Sequence, residues 1–161
     1  MNSKAGKITY TQMGKEGLDS IADLWQKLTI HHKERAPQVF KAHYDKYVFD
    51  GRKKQLLEKS KNGDMLIDLA KDNNTGALVG YCVSTISEKK EGELESIFIE
   101  KEYRRYHIGD HFITNSIKWM DAHKVEKKVI VVAAGNEEAF GFYQKYGFYP
   151  RAHILQQADT K

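Results

Sequence analysis

Two stretches of the chain carry residue types and spacings that could do chemistry. The first, LESIFIEKEYRRYHIGDHF at 94–112, runs from an apolar β-type stretch through a basic loop into a helix marked by Ile108, Phe112, Ile113, Ile117 and Met120. The first amides of a helix have no acceptor within it, and the peptide dipoles make that end positive. Arg104 and Arg105 add two cations just ahead of it. The pattern reads as a trap for a phosphate or diphosphate that needs no metal. A plain strand, loop and helix with surface arginines fits the same residues. The second stretch is NEEAFGFYQKYGF at 136–148, where Asn136 is placed to cap a helix and Glu137 and Glu138 favour its first turn. Phe140, Phe142 and Tyr146 read as core, and Gly147 as the left-handed residue that ends the helix.

Other phosphate and metal signatures are missing. Neither GxxxxGK[ST] nor GxGxxG occurs, which argues against a Walker or Rossmann site. His107 and His111 have helical i, i+4 spacing, but no Glu completes an HExxH pattern and no third ligand is evident, so no metal is expected.

The elements that must position these stretches follow from the hydrophobic pattern. Residues 7–13 read as a first strand, and Leu18, Ile21, Leu24, Trp25 and Leu28 form one helical stripe. The run IHHKERAPQ, broken by Pro37, reads as loop. A second helical spacing covers Val39 to Val48, and after Asp50-Gly51 a basic helix runs to about Lys61. Strands 64–70 and 77–86 flank Asp72-Asn73-Asn74-Thr75-Gly76, a hairpin turn. A strand at 94–99, the helix from Ile108, a strand at 128–134, a helix at 137–146 and a last strand at 148–156 complete the chain. The order β-α-α-β-β-β-α-β-α-β predicts an α/β fold on a mixed sheet, with 94–99 and 128–134 parallel and joined by a right-handed crossover.

The 161 residues fit one domain, 1–161, with no repeat or linker. Lys and Arg number 26 against 22 Asp and Glu, a net charge of +4 that suits an anionic ligand and gives nucleic-acid binding only weak support. One cysteine, Cys82, excludes an internal disulfide framework. The longest apolar run, Val129 to Ala134, is far short of the ~20 residues that span a bilayer, and the first residues lack a signal-peptide pattern. A cytoplasmic protein without a membrane partner is expected, and a homodimer stays open.

Taken together, RRYHIG before a helix and NEEAFGFYQKYGF further on resemble the GNAT superfamily of N-acetyltransferases. Arg104, Arg105, Tyr106, His107, Ile108 and Gly109 occupy the places of the family's Arg/Gln-x-x-Gly-x-Gly/Ala pattern. His107 departs from it, standing where glycine is usual. The resemblance covers 77–149 well and the first half only in its order of elements.

What the resemblance implies is transfer of acetyl from acetyl-CoA to a primary amine, on a small molecule or on a peptide or protein, by direct transfer. Acetyl-CoA would lie between the splayed strands 94–99 and 128–134. Its pyrophosphate would rest on the backbone of 105–110, near Arg104, Arg105, Tyr106, His107, Ile108, Gly109 and Asp110. The pantetheine would follow Ile97, Phe98 and Ile99, with Asn136 and Lys145 beside the cofactor. Tyr143 resembles the family's general acid for the leaving thiolate and would also touch the cofactor. Glu95 is the implied base for the amine, with Glu93 as its backup. The acceptor cleft would draw on His31, His32, Glu34, Tyr44, Tyr47 and Glu93. A rival reading, a non-catalytic acyl-CoA-binding or regulatory domain of the same fold, rests mainly on His107.

Overall fold

The computed structural model describes residues 7–158. Five strands form one sheet in the order β1 (Ile8–Met13), β2 (Asp64–Asp72), β3 (Leu78–Ile86), β4 (Glu91–Ile99) and β5 (Lys127–Ile130). The first four are antiparallel neighbours, and only β4 and β5 run parallel. Helices α1 (Ala22–Arg35), α2 (Phe49–Lys59), α3 (Ile108–Ala122) and the short α4 (Phe140–Gln144) cover the sheet, with 3-10 segments at Lys15–Ile21, Gln38–Lys46, Lys101–Tyr103 and Glu137–Ala139.

Alternation along the strands divides the core in two. Met65, Ile67, Leu69, Tyr81 and Val83 point to the face covered by α1 and α2, where they meet Leu18, Leu24, Trp25 and Leu56. Ala70, Val79 and Cys82 point to the other face, against Ile108, Phe112 and Ile113 of α3 and Tyr143 of α4. The sheet thus carries α3 and α4 together on this second face. None of the helices among the described residues is long and apolar enough to cross a membrane.

The expected mixed sheet and its β2–β3 hairpin are present, while several elements differ from the sequence reading, among them the helix expected over 39–48, which is a 3-10 segment at Gln38–Lys46. The run at 30–38 is not loop: α1 continues to Arg35, and Ala36 turns extended (φ −62°, ψ 150°) because a residue before proline is pushed out of the helical region. His32, Lys33 and Arg35 in its last turn suit the negative end of the helix. Asp50 and Gly51 do not interrupt a helix but open one, in the first turn of α2. The segment expected as a helix at 137–146 is a 3-10 turn followed by only five α-helical residues. Residues 148–156 form no strand and pair with none of the five strands of the sheet.

Candidate active site

The site begins at an irregularity in β4. Val83 pairs with Ser96, yet Ser84 pairs with Leu94, so Glu95 is an extra residue in a β-bulge. A bulge breaks the alternation of faces. Leu94 and Ile97, three residues apart, both join the α3 side of the core, while Phe98 joins the other. Just past the bulge, β4 and β5 part company. Their parallel register runs from Glu91–Lys127 to Leu94–Ile130 and stops there. The sequence placed the pair at 94–99 and 128–134, but the paired portion is earlier, and those later residues form the two walls of a gap.

That gap opens into a cleft of about 630 Å3. Ile97, Phe98 and Ile99 line one wall, Val131, Val132 and Ala133 the other, with Arg104 and Arg105 at one end and Tyr143 inside. From Glu95 to Ile99 the β4 backbone has no β5 partner; Arg52 and Arg104 take the Glu95 and Ile99 carbonyls, and the groups between them are left for a guest. The wall at 131–134 is fixed by Gly135 (φ +95°), where a Cβ would lie 1.9 Å from the Arg35 carbonyl oxygen at the end of α1. Only glycine fits there, on both backbone and steric grounds.

At the cleft's basic end, the first bond of α3 is His111 N to the His107 carbonyl (3.0 Å), which leaves the amides of Ile108, Gly109 and Asp110 without a helical acceptor. His107 is left-handed (φ 58°, ψ 20°), a conformation that favours glycine. Its side chain is 87 % exposed and its Nδ1 lies 3.1 Å from Asp110 Oδ2, so the imidazole does not plug the turn. This removes the main support for the non-catalytic reading. Gly109 gives close packing: a Cβ there would come within 3.1 Å of Phe142 on α4. Arg104 Nε donates to the Ile99 carbonyl (3.0 Å), which ties the basic loop to the end of β4. Asp110 would oppose an anion, but the Tyr146 hydroxyl and Lys145 (3.1 Å) engage its carboxylate. The Tyr146 bond, with those of His107 and Lys145, outweighs partial burial and holds the Asp110 carboxyl down to about 2. Burial, then the Asp110 partner, push the Tyr146 phenol up to about 12.

Tyr143 is 9 % exposed, and burial, with Cys82 nearby, raises its phenol well above the usual range. Its hydroxyl bonds to no protein group among the described residues, so it is a protonated donor with no acceptor but a guest in the cleft. His31 and His32 line the same cleft. Burial, then the neighbouring His31, hold His32 down to about 4, so it is a neutral imidazole at pH 7.

Glu95 sits differently from what a free base requires. Its side chain is 2 % exposed, on the α2 side of the sheet. Arg52 Nη2 donates to one carboxylate oxygen (3.0 Å), while Lys59 (2.6 Å) and Thr85 Oγ1 (2.6 Å) reach the other. Arg52 also donates to the Glu95 carbonyl (3.3 Å). Lys59 bonds Glu93 as well, and these carboxylates overcome the effect of burial and raise its ammonium pKa.

Of the other sequence candidates, His107, Gly109, Asp110, Asn136 and Lys145 border the cleft. Ile108 is fully buried in the core and Tyr106 packs beside Tyr103, so neither side chain faces the gap. Glu34 is exposed, Tyr44 and Tyr47 pack on each other, and Glu93 is held by Lys59; all four lie outside the lining. The sequence reading missed Leu28, Ser96, Phe142 and Glu138 in the cleft, and Arg52, Lys59 and Thr85 around Glu95. The seven-residue spacing of Arg52 and Lys59, two turns on one helix face, was the available signal for the last group.

Five strands with one parallel pair splayed beyond a bulge, and a helix start facing the gap, define an acyltransferase-type fold. The sequence profile described as Acetyltransferase (GNAT) family matches residues 23–148, and the chain belongs to that family. Among curated proteins, none matches the chain by sequence. Solved structures share the fold at low identity. The PaiA N-acetyltransferase of Thermoplasma acidophilum in complex with coenzyme A is 18% identical, with TM-score 0.65 over 94% of either chain. Glucosamine-6-phosphate N-acetyltransferase of Arabidopsis thaliana is 13% identical, with TM-score 0.62 over 93% of this chain and 97% of its own. AAC(6')-Iy with the bisubstrate analogue CoA-S-monomethyl-acetylneamine is 15% identical, with TM-score 0.64 over 96% and 99%.

Proposed function

We propose that the protein is an acetyl-CoA-dependent N-acetyltransferase that acts on a primary amine. The observation that carries this reading is the cleft that reaches from Gly109 and Asp110, whose amides have no helical acceptor, to the unpartnered Tyr143 hydroxyl, between strands that stop pairing at Leu94 and Ile130. The residues fit the cofactor: free amides and two arginines for a diphosphate, and an unpaired β4 edge for an amide-bearing arm. Bound there, acetyl-CoA supplies an acetyl group activated as a thioester.

The chain's own residues then divide the work. Arg104 and Arg105 neutralise charge at the helix start, while a β4 amide past the bulge donates to the acyl oxygen and stabilises the charge that develops on it. Tyr143 donates a hydrogen bond or its proton to the departing sulfur. An incoming amine arrives protonated, with a Lys-like pKa of about 10.4, and must lose a proton first. Glu95, expected as the base, has its oxygens occupied by three donors, so its better assignment is to hold the bulge. His31, in the cleft, is the better acceptor of that proton, directly or through water, with the neutral His32 beside it. A single buried cysteine, Cys82, fits a reducing cytoplasm.

The test is release of free thiol from acetyl-CoA with a panel of small amines and peptides, using wild type and Tyr143→Phe. Turnover with at least one amine, and a Tyr143→Phe turnover lowered about 10- to 100-fold at unchanged CoA affinity, are expected. CoA binding without transfer to any amine would return the chain to the non-catalytic reading.

A further inference from the structure

We propose that the Ser96 hydroxyl, aimed by Tyr81, selects an acceptor amine that carries a hydrogen-bond-accepting oxygen close to its nitrogen. This choice of acceptor rests on the N-acetyltransferase reading, which it narrows. Tyr81 stands on β3 with its side chain in the core beneath α1 and α2, wholly out of water. Its hydroxyl bonds to one group among the described residues, Ser96 Oγ on β4. A pair of hydroxyls can be bonded in either direction, and burial decides between the two. Were Ser96 the donor, the phenol hydrogen would be left in the core with nothing to receive it, which is costly. The nearby Arg52 cation favours the same direction, because it is drawn to the phenol oxygen and not to its hydrogen. Tyr81 therefore donates to Ser96, and the Ser96 hydrogen is left over. No other protein group among the described residues bonds to that hydroxyl, and Ser96 is a partly buried residue on the border of the cleft.

The two faces of the sheet determine which guest meets that hydrogen. Tyr143, the donor to the departing sulfur, packs with α3 on one face. Ser96 lies opposite Val83, and residues paired across strands share a face, here the one covered by α1 and α2. α1 supplies Leu28, His31 and His32 to the same cleft. The hydroxyl thus faces the amine arriving along α1, not the cofactor arm. Charge narrows what that amine carries. The carboxylates bordering the cleft are those of Glu95, Asp110 and Glu138. Arg52 and Lys59 hold the first, Lys145 the second and Arg35 the third (3.2 Å). A second ammonium finds no free carboxylate there, whereas an ether, hydroxyl or carbonyl oxygen finds a donor. A site built to bond a substrate group is left with its own donor unpaired when that group is missing, and discriminates for that reason.

The test compares methoxyethylamine with butylamine in the thiol-release assay, two amines of equal length that differ by an ether oxygen in place of a methylene. The quantity read is the ratio of their kcat/KM values, and comparing that ratio between variants cancels the intrinsic difference between the amines. Ser96→Ala alone strands the buried Tyr81 phenol, so the double substitution Tyr81→Phe, Ser96→Ala, which removes both partners and leaves nothing unsatisfied, is assayed beside it. Both should lower the ratio about 5- to 10-fold with CoA affinity unchanged, and Ser96→Thr should keep the wild-type ratio. Tyr81→Phe alone, the loss of a positioning residue, should lower it about 2- to 3-fold. Glycinamide and aminopropanol distinguish a carbonyl oxygen from a hydroxyl one, by which of them loses more in Ser96→Ala. A ratio unmoved by Ser96→Ala, or an equal loss with both amines, overturns the proposal and leaves the transferase reading standing. Transfer to neither amine also overturns it; if no other amine or peptide reacts either, the transferase reading falls with it.

Discussion

If Glu95 holds the bulge, then removing its partners should harm the site as much as removing the carboxylate. Glu95→Gln keeps the shape but leaves Arg52 and Lys59 facing a neutral amide. Breaking a buried pair by removing one charge costs about 3–5 kcal/mol. The Arg52 side chain is 26 % exposed and Lys59 39 %, so both cations keep some water, which brings the cost below that range, to about 2–3 kcal/mol. Arg52→Met leaves Lys59 and Thr85 on the carboxylate and should cost less, about 1.5–2 kcal/mol. Urea unfolding measures both. Because the bulge aims the unpaired β4 backbone, the two variants should weaken CoA binding in the same ratio as they lose stability. Their pH–rate profiles should keep the wild-type shape. The reasoning is refuted if Glu95→Gln abolishes turnover and its alkaline-rising limb while Arg52→Met and Lys59→Met stay stable and active. That outcome would restore Glu95 as a base in its own right.

Replacing Arg104 and Arg105 together by Ala should raise the Kd for CoA about 10- to 100-fold and flatten its dependence on salt, as read by calorimetric titration. His107→Gly should relieve a left-handed side chain worth ~1 kcal/mol and raise the melting temperature by about 2–4 °C, with CoA affinity equal or better. His32 binds its proton less readily folded, near pH 4, than unfolded, near 6.5. The unfolded chain therefore takes up more protons in that window, and stability is full above pH 6.5 and lost as pH falls towards 4. His32→Gln should flatten that part of the stability–pH curve; an unchanged slope would assign it to other groups.

The parts of the site legible in the sequence are those whose physics is local. Arginines before a helix start, a left-handed Gly147 after an aromatic run and a hairpin turn at 72–76 each declare themselves within a few residues. The bulge at Glu95 does not, because it exists only in the mismatch between two registers on β3 and β4. Glu95 looked free for the same reason: its two cationic partners come from α2, some 36 to 43 residues earlier in the chain. The strand expected at 148–156 shows the reverse error. Its composition suits a strand, but a strand needs a neighbouring edge, and that requirement is not written in the segment itself. α1 ran past its expected end because proline constrains the residue before it, not the five or six ahead.

The contact between Gly135 and the Arg35 carbonyl has a mechanical consequence. One jaw of the gap is seated on the tail of α1, whose own flank carries His31 and His32 into the same cavity. Gap width and acceptor lining therefore share a single anchorage. A bulkier residue at 135 would act as a shim, prising both sides apart at once without touching either.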